Sequence, residues 1–256
     1  MTGKDEYYNR AKQEGYRARS AYKLKQLDET ADLLGEGRTV VDLGAAPGGW
    51  LQVAAEQVGP EGTVIGVDRQ RIDALDEPDA TVEFVRGDIT EADTKATIRE
   101  VVDDTVDVVL SDMAPNMSGE YDLDHARSVH LARQAFEVAS DLLGPGGDLA
   151  VKVFDGRDLA DLEAEIDAEF EYVRQVRPAA SRDASSELYL VAKNRLTAPV
   201  SVGEEVDLDI VDVGTEGDGI AKVEGFTLFV EGVAEGDSVT AEITDIKPRY
   251  GFAKPV

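Results

Sequence analysis

From Thr39 onward, short β-branched and aliphatic runs alternate with stretches whose apolar positions recur at helical spacing. Runs at Thr39–Leu43, Thr63–Val67, Val106–Leu110 and Asp148–Val153 are mostly apolar, as strands covered on both faces of a parallel sheet must be, and Thr81–Arg86 reads as another strand. Between them, helical periodicity marks Gly49–Val58, Thr94–Val102, a long stretch over His125–Leu143 stopped by Gly144-Pro145-Gly146-Gly147, and Leu159–Phe170. Tyr172–Val176 and Leu188–Ala192 read as the last two strands. This alternation predicts an α/β fold, a doubly wound and mostly parallel sheet of Rossmann-like type.

After residue 195 the pattern changes. A linker with Pro199 leads into short alternating runs at Glu205–Val211, Gly219–Val223, Phe226–Val230 and Ser238–Asp245, separated by glycine-rich turns at 214–219, 225, 232 and 236. Such spacing with no helical period predicts a small antiparallel all-β barrel. The expected domains are 1–195 and 199–256.

Composition narrows the chemistry. Of the 256 residues 42% are hydrophobic, enough to bury a real core. There is no cysteine, which excludes disulfides, thiolate nucleophiles and Cys-type zinc sites. Only His125 and His130 could serve a His-based metal site or a Ser-His-Asp apparatus, so no metal is expected. No signal-like or membrane-spanning apolar run is evident, and the expectation is a cytoplasmic, monomeric protein without a membrane partner. The charge is extreme, with 53 acids against 26 bases and a net −27 spread along the chain. A strongly hydrated acidic surface suits a halophilic cytoplasm, where the Debye length falls to about 3 Å at 1 M salt. Under that screening, overall charge does not exclude RNA, and local charge has to decide.

The first 25 residues break the acidic rule. Lys4, Arg10, Lys12, Arg17, Arg19, Lys23 and Lys25 outnumber Asp5, Glu6 and Glu14, with Tyr7, Tyr8, Tyr16 and Tyr22 among them. Cations interleaved with aromatics suit a phosphate backbone and stackable bases. The same pattern also fits a helix whose tyrosines pack on the domain and whose bases are merely solvated.

Candidate chemistry gathers at the strand ends. In open α/β sheets ligands bind in the crevice outside the carboxyl ends of the strands. The loop Gly44-Ala45-Ala46-Pro47-Gly48-Gly49 has Ala46 where a dinucleotide fingerprint needs its second glycine, so an adenosyl-like ligand without a pyrophosphate fits better. Asp42 closes the first strand. Asp68 closes the second and could accept ribose hydroxyls, while Asp88 follows the third and could read an adenine edge. Each could equally be a helix cap or a solvated turn. Ser111-Asp112-Met113-Ala114-Pro115-Asn116 forms a rigid wall after the fourth strand. Lys152 stands inside the apolar strand Ala150–Phe154, and Glu187 precedes Leu188-Tyr189-Leu190-Val191. A lysine there either snorkels to the strand end or is held for proton transfer.

Five segments carry a resemblance: Ser20-Ala21-Tyr22-Lys23-Leu24, Asp42 to Trp50, Ser111 to Asn116, Val151-Lys152-Val153-Phe154 and Ser186-Glu187-Leu188-Tyr189. Residues 1–195 resemble the FtsJ/RrmJ family of S-adenosylmethionine-dependent 2′-O-methyltransferases acting on a uridine of 23S ribosomal RNA in the large subunit. The resemblance implies a catalytic set at Lys23, Asp112, Lys152 and Glu187, with Lys152 as base. It implies S-adenosylmethionine contacts at Gly48, Trp50, Asp68, Asp88 and Asp112. One departure is the segment Arg182-Asp183-Ala184-Ser185-Ser186, where bacterial members carry more arginine. The tail, through Asp218-Gly219-Ile220-Ala221 and Tyr250-Gly251-Phe252-Ala253, resembles a TRAM domain, a small RNA-binding barrel. A transfer-RNA substrate, a non-catalytic assembly factor and a small-molecule methyltransferase are the competing readings. The last leaves the basic N-terminus and the barrel unexplained.

Overall fold

The structure is a computed structural model that describes residues 4–102, 105–182, 185–215 and 217–256, with side chains from Glu6 onward. Lys4 and Asp5 of the basic island therefore have no described side chains, and Asp183, Ala184 and Glu216 lie outside the described residues.

Two helices, α1 (Lys4–Glu14) and α2 (Ala21–Ala31), precede β1 (Thr39–Leu43), α3 (Gly49–Val58), β2 (Thr63–Asp68), β3 (Thr81–Arg86), α4 (Ala92–Val101) and β4 (Val106–Ser111). There follow α5 (Tyr121–Leu142), β5 (Leu143–Phe154), α6 (Leu159–Asp167), β6 (Phe170–Val176) and β7 (Glu187–Arg195). They form a seven-stranded sheet in the order β3-β2-β1-β4-β5-β7-β6. All pairings are parallel except those of β7, which runs antiparallel to both β5 and β6. The doubly wound, mostly parallel sheet is as the periodicity predicts.

The helices cover both faces of this sheet, and strand alternation decides what each face receives. Val41, Leu43, Val109, Leu149, Val151, Leu188 and Leu190 pack on one side with residues of α4, α5 and α6. Val40, Val108, Leu110, Ala150, Tyr189 and Val191 pack on the other with α2 and α3. Positions two apart share a face. Asp42, Lys152 and Glu187 therefore belong to the α2/α3 side, the side on which Lys23 is carried.

Several boundaries differ from the sequence pattern; α6, for one, ends at Asp167, and Phe170 already opens β6. Helix α5 begins at Tyr121 rather than His125, because Asp124 accepts from the backbone N–H groups of Ser118 (2.8 Å) and Gly119 (3.0 Å) and organises the turn before it. The Gly144–Gly147 stretch ends the helix, yet it is already part of β5, with Leu143 in register with Val106.

The C-terminal residues form β8 (Glu205–Asp209), β9 (Asp212–Val213), β10 (Gly219–Val223), β11 (Phe226–Val230), β12 (Ser238–Ile246) and β13 (Tyr250–Pro255). Their order is β8-β12-β13-β11-β10-β9. The two edges of this sheet are consecutive in the chain. Between them Ile210 N–H donates to Asp237 O (2.9 Å) and Val211 N–H to Ile220 O (2.8 Å), so the sheet curls closed around Leu208, Leu228, Val230, Ala241 and Ile243. The barrel is not wholly antiparallel as expected: β13, which the pattern did not resolve, pairs parallel with β11. Its short Tyr-Gly-Phe-Ala alternation lies too close to a turn to signal a strand unaided.

Candidate active site

Lys23, Asp112, Lys152 and Glu187 come from α2, the residue after β4, the carboxyl end of β5 and the start of β7, and they meet. Lys152 Nζ lies 2.8 Å from Asp112 Oδ1 and also donates to the Asp112 carbonyl oxygen. Lys23 Nζ lies 2.7 Å from Glu187 Oε1 and 3.6 Å from Asp112 Oδ1. The lysine side chains are only 9% and 6% exposed, so each cation is tied to a carboxylate rather than to water. Neither snorkels free. Burial by itself would raise the Asp112 carboxyl, but Lys152 and Lys23 outweigh it and hold it below the usual carboxylate range. Glu187 behaves alike: burial opposes ionisation, and Lys23 overcomes it.

A fifth residue belongs to the cluster. Tyr189 is fully buried, and its hydroxyl donates to Asp112 Oδ1 at 2.5 Å. Burial first, then the Asp112 charge, push its phenol well above the usual range, so it remains a donor. Tyr189 stands in the quoted Ser-Glu-Leu-Tyr segment, where an apolar run hides it. The signal that could have found it is its two-residue offset from Glu187, which puts both on one face.

Beside the cluster, at the carboxyl ends of β1, β2, β3 and β4, runs a cleft of about 530 Å³. Gly44, Ala46, Asp68, Asp88, Asp112 and Met113 line it. Gly44 has φ +81°, and a Cβ there would lie 2.3 Å from Met113 Cγ, so only glycine allows Met113 to approach this loop. Asp68 accepts from Ala46 N–H (3.0 Å) and Gln70 N–H (2.7 Å), and thereby shapes the β1–α3 loop. Asp88 accepts from Thr90 N–H (3.0 Å), which with the Thr90 hydroxyl and Arg69 holds its carboxyl below the usual range. Beneath the cleft, Asp42 is buried with Oδ2 unpartnered. Burial, and then the charges of Asp112 and Asp68, push its carboxyl well above the usual range.

This donor set selects a ligand class. Asp68, Asp88 and Asp112 accept from hydroxyl, amino and cationic groups, and Arg69, on the same lining, pairs with Asp88 at 3.3 Å. The residues fit a nucleoside bearing a cationic centre.

Gly48 and Trp50 stand apart from the cleft lining. Gly48, at φ +106°, caps α3, and a Cβ there would meet the Arg17 guanidinium at 3.0 Å. Trp50 is buried, donates to Ser20 O (2.8 Å) and packs on Tyr189 with ring centroids 5.8 Å apart. It braces the loop and the cluster of Lys23, Asp112, Lys152 and Glu187 from behind.

The basic N-terminus is largely committed to structure. Arg17 donates to the carbonyl oxygens of Pro47, Asp73 and Ala74, and Arg19 to that of Ala180. Arg10 pairs with Glu14 and lies over the Tyr22 ring; Lys25 lies over Tyr16. Tyr22 is buried, whereas Tyr8 is 61% exposed. The histidines divide. His125 is buried between Phe154 O and Asp158 N–H, a packing role, whereas His130 lines the cleft with Arg127. Among the described residues no cluster of His, Cys, Asp and Glu could hold a metal, and no helix is long and apolar enough to cross a membrane.

A family model described as FtsJ-like methyltransferase matches residues 16–195, and one described as TRAM domain matches residues 199–256. The chain is 70% identical to "Ribosomal RNA large subunit methyltransferase E" of Haloarcula marismortui, over 100% of both chains. It is 65% identical to the protein of that name from Haloquadratum walsbyi, again over 100% of both. It is 47% identical to the one from Methanothrix thermoacetophila, over 98% of this chain and 96% of the relative. It also resembles a crystal structure of a ribosomal RNA methyltransferase from Plasmodium falciparum, with TM-score 0.62 and 28% identity, covering 70% of this chain and 98% of that one.

Proposed function

We infer the reaction from kinship and site together: this chain belongs to the FtsJ-like methyltransferase family and carries a TRAM domain. It is a methyltransferase. We propose that it transfers the methyl group of S-adenosylmethionine to the 2′-hydroxyl of a uridine in 23S ribosomal RNA, within the assembled large subunit. The substrate reading is supported by full-length relatives named for the large-subunit RNA. Residues 1–195 would carry the chemistry, and residues 199–256 would bind RNA.

The single observation that carries the mechanism is the close meeting of Lys152, Asp112, Lys23 and Glu187 beside an acid-lined cleft. When bound, S-adenosylmethionine supplies an electrophilic methyl group on a positively charged sulfur. Asp68 and Asp88 would receive its ribose and adenine, Gly44 and Ala46 would let it approach the β1–α3 loop, and Asp112 would face its cationic end. Gly48 and Trp50 would set that loop from beneath. Lys152 would take the proton from the 2′-hydroxyl at Nζ, and Asp112 with Tyr189 fixes where that nitrogen stands. Lys23, held by Glu187 and 3.6 Å from Asp112 Oδ1, would stand beside Lys152 and contact the substrate.

The test is Lys152→Ala assayed with labelled S-adenosylmethionine and large ribosomal subunits. Methyl transfer is expected to vanish while affinity for S-adenosylmethionine stays near wild type; normal activity would sink the assignment. Mapping 2′-O-methyl groups on RNA from a strain lacking the protein identifies the nucleotide and separates a ribosomal from a transfer-RNA substrate.

A further inference from the structure

The segment joining β4 to α5 carries an apolar patch that no core absorbs. Met117, Tyr121 and Leu123 are 65%, 58% and 39% exposed, and neither core of the large sheet includes any of them. Single exposed apolar side chains need no explanation, but three so close together do.

The patch is built rather than loose. Asp124, buried near the start of α5, accepts from Ser118 N–H and the Ser118 hydroxyl, both at 2.8 Å, and from Gly119 N–H at 3.0 Å. These bonds close the turn between Met117 and Tyr121. The Tyr121 hydroxyl donates to the carbonyl oxygen of Asp155 at 2.6 Å, so its ring is fixed although it faces solvent. A ring ordered in advance loses little freedom when another group packs on it.

That anchor stands at the rim of the lysine cluster. Asp155 directly follows β5; its N–H donates to Ser186 O (2.8 Å) and its carboxylate pairs with Arg177 (2.7 Å). The preceding residue, Phe154, is in register with Glu187. Lys152 lies three residues before Asp155, about 10 Å away along the strand at the usual rise. At its other end the same segment borders the cleft, which Asn116 lines.

The surroundings select what the patch receives. Lys152 is recessed, so a ribose hydroxyl reaches its Nζ only when the nucleotide leaves the stack of its neighbours. A base turned out in this way needs a new face to lie on. Glu120 and Asp122 flank Tyr121 in the chain, and Asp155 stands at its hydroxyl. Such a patch repels phosphate and accepts an uncharged ring.

We propose that Tyr121, with Met117 beside it in the loop, stacks the base of the nucleotide being methylated and thereby sets its ribose at Lys152. This rests on the RNA-substrate reading above and adds a positioning surface outside the cluster and the cleft. Stacking tolerates every base, so Tyr121 fixes where the base lies and not which base it is.

The test measures methyl transfer by the full chain, with labelled S-adenosylmethionine, to large subunits from a strain lacking the protein. Tyr121→Ala is expected to lower kcat/KM for subunits about tenfold while the Kd for S-adenosylmethionine stays at the wild-type value. Tyr121→Phe and Tyr121→Trp keep a ring without the phenol and are expected to retain most of the activity. Met117→Ala is expected to lose several-fold, and it replaces Tyr121→Ala as the deciding variant should that one not fold. Unchanged kcat/KM in the deciding variant would overturn the proposal. So would an equal loss in Tyr121→Phe and Tyr121→Ala, because the bond to Asp155, and not the ring, would then be what matters. A wild type inactive on subunits overturns the substrate reading and this proposal with it; an active wild type matched by the deciding variant overturns the proposal alone.

Discussion

Tyr189 and Lys152 are register partners on adjacent antiparallel strands, and both reach one oxygen, Asp112 Oδ1, at 2.5 and 2.8 Å. That carboxylate is thus held from two sides, and the lysine is aimed by a phenol that takes no charge. Tyr189→Phe keeps the ring on Trp50 and removes only the hydroxyl. Its expected signature is a roughly tenfold drop in kcat with unchanged KM for RNA, checked by steady-state methyl transfer. A hydrogen bond to a charged group is also lost, so stability should fall by about 2 kcal/mol in denaturant titration.

Asp42 is expected to cost stability at neutral pH. Its carboxyl is raised by burial and by the charges of Asp112 and Asp68. A raised carboxyl favours the fold below the ordinary carboxylate range, and that contribution is lost as pH rises through the folded-state value. Asp42→Asn removes the charge, so the melting temperature should rise by a few degrees near pH 7 and not below about pH 4, as followed by calorimetry.

Asp112 and Glu187 work in the opposite direction. Both are lowered, by Lys152 and Lys23 acting against burial. Their contribution is present above the ordinary range, about pH 4, and is lost as acid carries the pH through the folded-state values. Acid titration should show a cooperative loss of structure there. Asp112→Asn should weaken that dependence and destabilise the protein at pH 7, because Lys152 keeps its burial and loses its counter-charge.

Gly44→Ala is expected to damage the cleft specifically. It would force a side chain into left-handed backbone and onto Met113, costing about 2 kcal/mol or more. Calorimetry should show the loss, and titration with S-adenosylmethionine should show weaker binding.

Arg17 separates a bracing role from an RNA role. Its guanidinium ties the carbonyl oxygens of Pro47, Asp73 and Ala74 together beside the β1–α3 loop. Arg17→Ala should therefore weaken S-adenosylmethionine binding several-fold and leave RNA affinity unchanged. Loss of RNA affinity alone would return Arg17 to the nucleic-acid surface.

What the sequence determined by itself is what local chemistry encodes. The short runs Thr39–Leu43 and Thr81–Arg86 and the helical period of Gly49–Val58 coincide with β1, β3 and α3 because burial on a strand or helix is a property of spacing. The loop Gly44–Gly49 and the odd charge at Lys152 were legible for the same reason: a turn and a buried cation each constrain their immediate neighbours. Tertiary structure decided the rest. Lys23, Asp112, Lys152 and Glu187 are far apart in the chain, and the strand order β4-β5-β7 under α2 makes Lys152 the partner of Asp112 and Lys23 that of Glu187. The basic residues at 17 and 19 look available to RNA in the chain, yet folding sets backbone carbonyls against them. Likewise Tyr250 and Phe252 come to lie beside Phe229 only because β13 pairs parallel with β11, a long-range pairing that alternation along one strand does not specify.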